Sequence, residues 1–295
     1  MLQVLVDYLV PLNLFVLMLI AGTEISLADF RALSRNPLPA LIGATGQLLF
    51  LPLIALCIVN SVLLHPTVAT GTLILALRPG GGISNTYCFL GRCNVLLSAI
   101  IAAIGTLLSL ATIPLWLSVL PAVPGVEEQL KVVPSMSIIA QLLAFMVMPL
   151  AAGILVRAQK PQLVERHGST MRALSSMLIL VILIAALWSV RHQLAGLTWD
   201  ITIAATLFIV TAMLLGHLLG YRMGAYDRPV LVIESGVRNV GVALILGGAM
   251  LSKPAFGVFA SFLMGYFIVE IIIMVSYAKW LSFSRPKAAT ATARL

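Results

Sequence analysis

The chain has 295 residues, 61% of them hydrophobic and only 9% charged, with a mean hydropathy of +1.09. That composition excludes a sizeable soluble domain and describes a polytopic membrane protein, with the lipid bilayer as its surroundings. The formal charge of +8 reads as basic loops at a membrane face, so no nucleic-acid partner is expected.

Apolar runs give nine spans, each near the roughly 20 residues that cross a bilayer. Their limits are 3–27, 38–60, 66–91, 94–119, 133–157, 170–190, 199–221, 228–250 and 255–279. Asp7 stands where a signal peptide would have a basic region, which predicts that none is cleaved. The second span carries Gln47 in its middle, an amide that alone most often bonds a neighbouring helix. The fourth presents Ser98, Thr106 and Ser109 on one face, and hydroxyls there usually bond back to their own helix. One loop holds Pro121, Pro124, Glu127 and Glu128, and another Lys160, Glu165, Arg166 and His167. His217 in the seventh span reads as a packed neutral histidine in preference to a proton relay. Glu270 is an acid inside the ninth, with a partner that the sequence does not name. Cys57, Cys88 and Cys93 lack metal-ligand spacing and read as buried thiols. Residues 1–284 form one transmembrane domain, and the Ala/Thr-rich basic tail 285–295 is expected to be disordered and cytoplasmic.

The third and eighth spans are interrupted. Leu77-Arg78-Pro79-Gly80-Gly81-Gly82-Ile83-Ser84-Asn85 cannot continue a helix, because Pro79 removes a donor and three glycines follow it. Glu234-Ser235-Gly236-Val237-Arg238-Asn239 interrupts the eighth span, and Gly82-Ile83-Ser84-Asn85 aligns with Gly236-Val237-Arg238-Asn239. Broken backbone within a membrane survives only where protein or a water-filled cavity satisfies it. Paired breaks in two halves of a chain point to the binding site of a secondary transporter. Small residues that merely pack helices are the plainer reading, but they leave the charges of Arg78, Glu234 and Arg238 unexplained. Each such charge costs about 2.5–3.5 kcal/mol on insertion scales. Glu234 and Arg238 are four residues apart, so on a helix they share one face, where a structural ion pair that locks the break is the plainer alternative to a part in a site. Arg78 is then a spare cation beside helix ends whose free N–H groups attract anions.

Basic residues orient the chain. Thirteen fall on the C-terminal side of the nine-span arrangement and three (Lys131, Arg191 and Lys253) on the other, with Arg78 and Arg238 inside. The C-terminus is therefore expected in the cytoplasm and the N-terminus outside, in a bacterial inner membrane. The sequence carries no nucleotide-binding loop, zinc signature or nucleophile elbow, which argues against an ATP-driven pump and against an enzyme.

Three stretches carry a resemblance. Gly22-Thr23-Glu24-Ile25-Ser26-Leu27-Ala28-Asp29-Phe30, with Gln47 five residues before Pro52, comes first. The first break followed by Arg92-Cys93-Asn94-Val95-Leu96-Leu97-Ser98 is the second, and the second break is the third. Together they resemble the bile acid:sodium symporter family over about residues 17–281. The resemblance implies an all-helical core and panel, two crossed broken helices and inverted repeats, in a nine-span version. It implies transport of organic anions with sodium, the known substrates including bile acids, pantothenate precursors and small keto or hydroxy acids. It also implies one sodium site at Ser84, Asn85, Ser98 and Glu234, although Ala102 stands where the family tends to have threonine. A second sodium site is implied at Gln47, Glu234, Ser235 and Val237. There this chain has Arg238 in place of a glutamine, so at most one sodium ion is expected. Substrate contact is expected from Arg78, Gly82, Asn85, Arg238 and Asn239. A sodium-independent anion facilitator or channel, or a non-transporting receptor, is the alternative.

Overall fold

The computed structural model of the chain describes residues 10–23, 37–120, 126, 135–189 and 194–285. All regular structure among them is helical. In chain order the helices are α1 Val10–Thr23, α2 Leu38–Ser61, α3 Pro66–Ala76, α4 Ile83–Leu90 and α5 Val95–Val119. Then come α6 over 135–159, α7 Pro161–Ser189, α8 Leu194–Leu219, α9 Arg228–Gly236, α10 Val240–Met250 and α11 Lys253–Phe283. Among the described residues, five helices contain stretches long and apolar enough to cross a membrane: Leu38–Ser61, Val95–Val119, Ile139–Gln159, Gly196–Leu219 and Ala255–Phe283.

Both expected breaks are present. Leu77–Gly82 separates α3 from α4, and Val237–Asn239 separates α9 from α10. Two smaller irregularities come from proline. Pro52 has no N–H and its ring clashes with the carbonyl four residues back. The helix widens into a π-segment over Gly46–Phe50, and the released Leu48 carbonyl accepts from Trp116 Nε1 at 2.9 Å. This bulge lies at Gln47, in keeping with the tendency of π-bulges to mark functional positions. The same widening precedes Pro149, over Leu143–Val147.

The helix α1 packs along α6 and α7, while α9 lies against α8, and α11 runs beside α3, α4, α7 and α8. Backbones meet at Gly22 and Gly153, where a Cβ on Gly153 would lie 2.8 Å from Gly22 Cα. Small residues that admit this approach are how helices associate in lipid, where the hydrophobic effect gives no net drive. The C-terminal end of α11 is fastened to the connection between α4 and α5. There Arg92 adopts a positive φ of 53° and donates to Ser282 O at 3.1 Å and Arg285 O at 2.7 Å. Arg285 donates in return to Arg92 O at 3.0 Å.

Some expectations change. Glu165, Arg166 and His167 are helical, because Pro161 starts α7 at its first position and polar turns precede its apolar part. His217 is exposed rather than packed, with its Nε2 against the Arg228 guanidinium. Cys57 is exposed, while Cys88 is buried. The loop with Pro121, Pro124, Glu127 and Glu128, the Glu24–Phe30 part of the first motif and the tail from 286 lie outside the described residues.

Candidate functional site

The site forms where the two breaks meet. Arg78 O accepts from Arg238 Nη1 at 2.6 Å, and Pro79 O accepts from Asn239 N at 3.3 Å. Gly80 N donates to Gln47 Oε1 at 2.8 Å. Gly80 must lack a side chain, since a Cβ there would run into Glu234 Oε2. On the other break, Gly236 O accepts from the Tyr266 hydroxyl at 2.8 Å. Asn239 is the N-cap of α10, its Oδ1 accepting from Val242 N at 3.1 Å. These bonds satisfy backbone that lipid could not. The alignment of Asn85 with Asn239 is sequential only, because Asn85 lies inside α4 whereas Asn239 precedes α10.

Glu234 is the hub. It is fully buried near the C-terminal end of α9. Its Oε1 accepts from Ser84 Oγ at 2.5 Å and from Ser98 Oγ, and its Oε2 accepts from Gln47 Nε2 at 3.3 Å. Ser84 Oγ also lies 2.7 Å from Gly81 O and 3.4 Å from Ser98 Oγ. Four oxygens from the first break, α4, α5 and α9 thus converge with only two hydroxyl hydrogens among them. A surplus of acceptor oxygens around one carboxylate is the donor set that a hard cation takes. Ser84, Ser98 and Glu234 fit that role, and Asn85 lies one residue along α4. Thr106 and Ser109 behave as ordinary helix hydroxyls, bonding Ala102 O at 2.8 Å and Thr106 O at 2.6 Å.

The second expected cation set is arranged differently. Gln47 Oε1 is committed to Gly80 N, and the carbonyls of Glu234 and Ser235 accept from Arg238 Nη2, the latter at 3.0 Å. Val237 is extended and closes α9 through its N–H to Ile233 O at 3.0 Å. Residues present here do not fit a further cation, because a guanidinium already holds the carbonyls. The expected side-chain ion pair between Glu234 and Arg238 is also corrected. Since α9 ends at Gly236, the helical i,i+4 relation is lost. The guanidinium meets the Glu234 backbone carbonyl, while the carboxylate turns to Ser84, Ser98 and Gln47.

A narrow cleft of about 20 Å³ lies beside the breaks, lined by Gly82, Asn85, Ala102 and Asn239 on one side and by Met18 and Leu150 on the other. Of the five expected substrate residues, Gly82, Asn85 and Asn239 reach it. Arg78 and Arg238 do not; both are fully or almost fully buried behind it. Arg78 Nε returns to Ile74 O at 3.1 Å, and neither Nη has a hydrogen-bond partner among the described residues. The sequence reading missed Tyr266, although a tyrosine in an apolar span needs a partner for its hydroxyl.

Paired broken helices around a buried carboxylate define a class of membrane protein, the secondary transporters. The comparisons agree. The model of the Sodium Bile acid symporter family matches residues 11–197, and the chain belongs to that family of transporters, none of whose roles is enzymatic. It is an integral membrane protein. It is 28% identical over 231 residues to the human P3 protein, covering 76% of this chain and 47% of that protein. It is 26% identical over 253 residues to the sodium-dependent transporter YocS of Bacillus subtilis, covering 82% and 74% respectively. It is 24% identical over 246 residues to the sodium-dependent organic anion transporter of Rattus norvegicus, covering 81% and 64%. The chain thus spans about half the length of the P3 protein and about three quarters of YocS.

Proposed function

We propose that this chain is a secondary active transporter of small organic anions, working by alternating access with at most one sodium ion. The observation that carries the reading is the Glu234 carboxylate held between Ser84 and Ser98 at the meeting of two broken helices. Relatives named for sodium dependence and organic anions support it. The cleft supports the mechanism. About 20 Å³ holds roughly one water molecule, so a carboxylate substrate enters only when the breaks and the α1–α6 side, with Met18 and Leu150, move apart. Sodium, when bound at Ser84, Asn85, Ser98 and Glu234, supplies the positive charge that accompanies an anion. The chain's own residues hold the break open to it and bind the substrate through Gly82, Asn85 and Asn239. Screening the purified protein for thermal stabilisation by organic acids, with and without sodium, tests the reading. Stabilisation by carboxylates supports it, and selective stabilisation by organic cations contradicts it.

Arg78 is assigned to the substrate in the open conformation. A buried guanidinium with two unpartnered nitrogens is costly, and such a group calls for an explanation. A substrate carboxylate reaching it as the breaks separate is that explanation. Arg78→Met keeps the apolar stem and removes the charge. It is expected to raise the melting temperature without ligand and to weaken the best carboxylate of the screen by about 1.5–3 kcal/mol. Unchanged affinity removes Arg78 from the site.

The orientation expected from the basic residues, with the C-terminus in the cytoplasm of a bacterial cell, follows the same reading. Reporter fusions after Arg285 are expected to be active in the cytoplasm. Activity confined to the exterior contradicts the nine-span arrangement with its inverted repeat.

A further inference from the structure

Glu270 plays no part in the scheme above. It lies in the middle of α11, fully buried. Its Oε2 meets the backbone N–H of Arg238 at a long 3.5 Å, and its Oε1 has no hydrogen-bond partner among the described residues. Among the described residues no cationic side chain hydrogen-bonds it. The Arg238 guanidinium is turned onto the carbonyls of Arg78, Glu234 and Ser235, and Arg78 turns back to Ile74 O. Three groups face the carboxyl: Tyr266 one turn earlier on α11, Tyr87 from α4, and Arg238 at the second break. The Tyr266 hydroxyl donates to Gly236 O at 2.8 Å. The Tyr87 hydroxyl is buried beside the carboxyl, the group it is placed to hydrogen-bond.

A carboxylate buried in this place has only one long N–H contact and two tyrosine neighbours to offset its lost hydration, with the Arg238 guanidinium committed to carbonyls. A carboxylic acid suits the place better, being neutral and able to share its hydrogen with the adjoining tyrosine oxygen. The neighbours of Glu270 also belong to moving parts. Tyr87 follows the first break, and the Arg238 peptide is the second. A negative charge appearing on Glu270 therefore attracts the Arg238 guanidinium away from the carbonyls that join the two breaks.

We propose that Glu270 is a proton-binding site coupled to the conformational change, so that the organic anion is moved together with a proton. In the closed conformation described here the carboxyl carries the proton. In the open one it gives the proton to water on one face of the membrane, and it takes another from water on the opposite face. No other bond is made or broken. The proposal rests on the transporter reading, and it supplies a driving ion where Arg238 removes one.

Infrared difference spectroscopy of the purified protein in light and heavy water tests the protonation without any substrate. The expected result is a protonated-carboxyl C=O band in wild type at neutral pH that is lost in Glu270→Gln and kept in Glu234→Gln. Glu270→Gln resembles the neutral acid in shape and is expected to fold. Tyr87→Phe is a second test, and it shifts the band without abolishing it. Absence of the band in wild type, its loss in Glu234→Gln alone, or no shift in Tyr87→Phe overturns the assignment. Coupling is read in proteoliposomes loaded with a pH-sensitive dye and offered a panel of small keto and hydroxy carboxylates. Proton entry with the carboxylate is expected in wild type. Glu270→Gln is expected to retain carboxylate exchange while its proton entry falls to background. Proton entry unchanged in Glu270→Gln overturns the proposal. Failure of every carboxylate to move in wild type, with the infrared band present, overturns the coupling through failure of the transport reading and leaves only the protonation of Glu270.

Discussion

Glu234→Ala is expected to lower stability by about 3–5 kcal/mol and to abolish any stabilisation by sodium. Two donors lose their acceptor at once, the Ser98 hydroxyl and the Gln47 amide, while the Ser84 hydroxyl is left with Gly81 O. Each donor left buried and unmade costs about 1–3 kcal/mol, and relaxation of the break recovers part of the sum. The buried guanidinium of Arg238 also loses the attraction of that negative charge. Glu234→Gln separates the two effects. It keeps the shape and an acceptor oxygen, so it is expected to unfold close to wild type, yet to show no response to sodium. Thermal unfolding in detergent, with sodium or choline chloride, checks both. A sodium response that survives in Glu234→Gln contradicts the assignment of the carboxylate to a cation.

Arg238→Gln is expected to lower stability by about 1.5–3 kcal/mol in sodium-free buffer, because charge-assisted bonds to carbonyls of both breaks are lost. Sodium is then expected to restore much of that loss, since the freed carbonyls of Glu234 and Ser235 and the carboxylate of Glu234 become available to an ion. In wild type the guanidinium opposes such binding directly. Two positive charges about 4 Å apart repel by on the order of 4 kcal/mol at an effective dielectric near 20. Unfolding curves for wild type and variant across a sodium series measure the difference. A variant that gains no sodium response contradicts the idea that Arg238 stands in place of an ion.

Much of this architecture was legible in the residues. Pro79 with three glycines, and Gly236 within an apolar run, each forbid a continuous helix, and the breaks fall there. The convergence of Gln47, Ser84, Ser98 and Glu234 followed from a resemblance carried by short motifs, and the side chains do meet. What the sequence misjudged depended on where helices end. Arg238 was paired with the Glu234 carboxylate by helical spacing, but α9 stops between them and the guanidinium meets carbonyls instead. His217 was read as packed because its span is apolar, yet apolar spans also have a face that meets lipid. Arg78 has the charge expected of an anion site and lies off the cleft in this conformation. Tyr87, Tyr266 and Glu270 come together from α4 and α11, and no local spacing encodes a meeting of that range. The π-segment at Gln47 is a consequence of Pro52 that hydropathy does not register.

The most direct test of the central claim is the number of sodium ions that wild type uses. Sodium titration of the purified protein, followed by calorimetry or by carboxylate binding at fixed ionic strength, measures it through the steepness of the response. The expected result is either no response or a simple one with a Hill coefficient of about one, steepening in Arg238→Gln. A wild-type coefficient close to about two would mean that both cation sets are intact, and it would contradict the role given to Arg238.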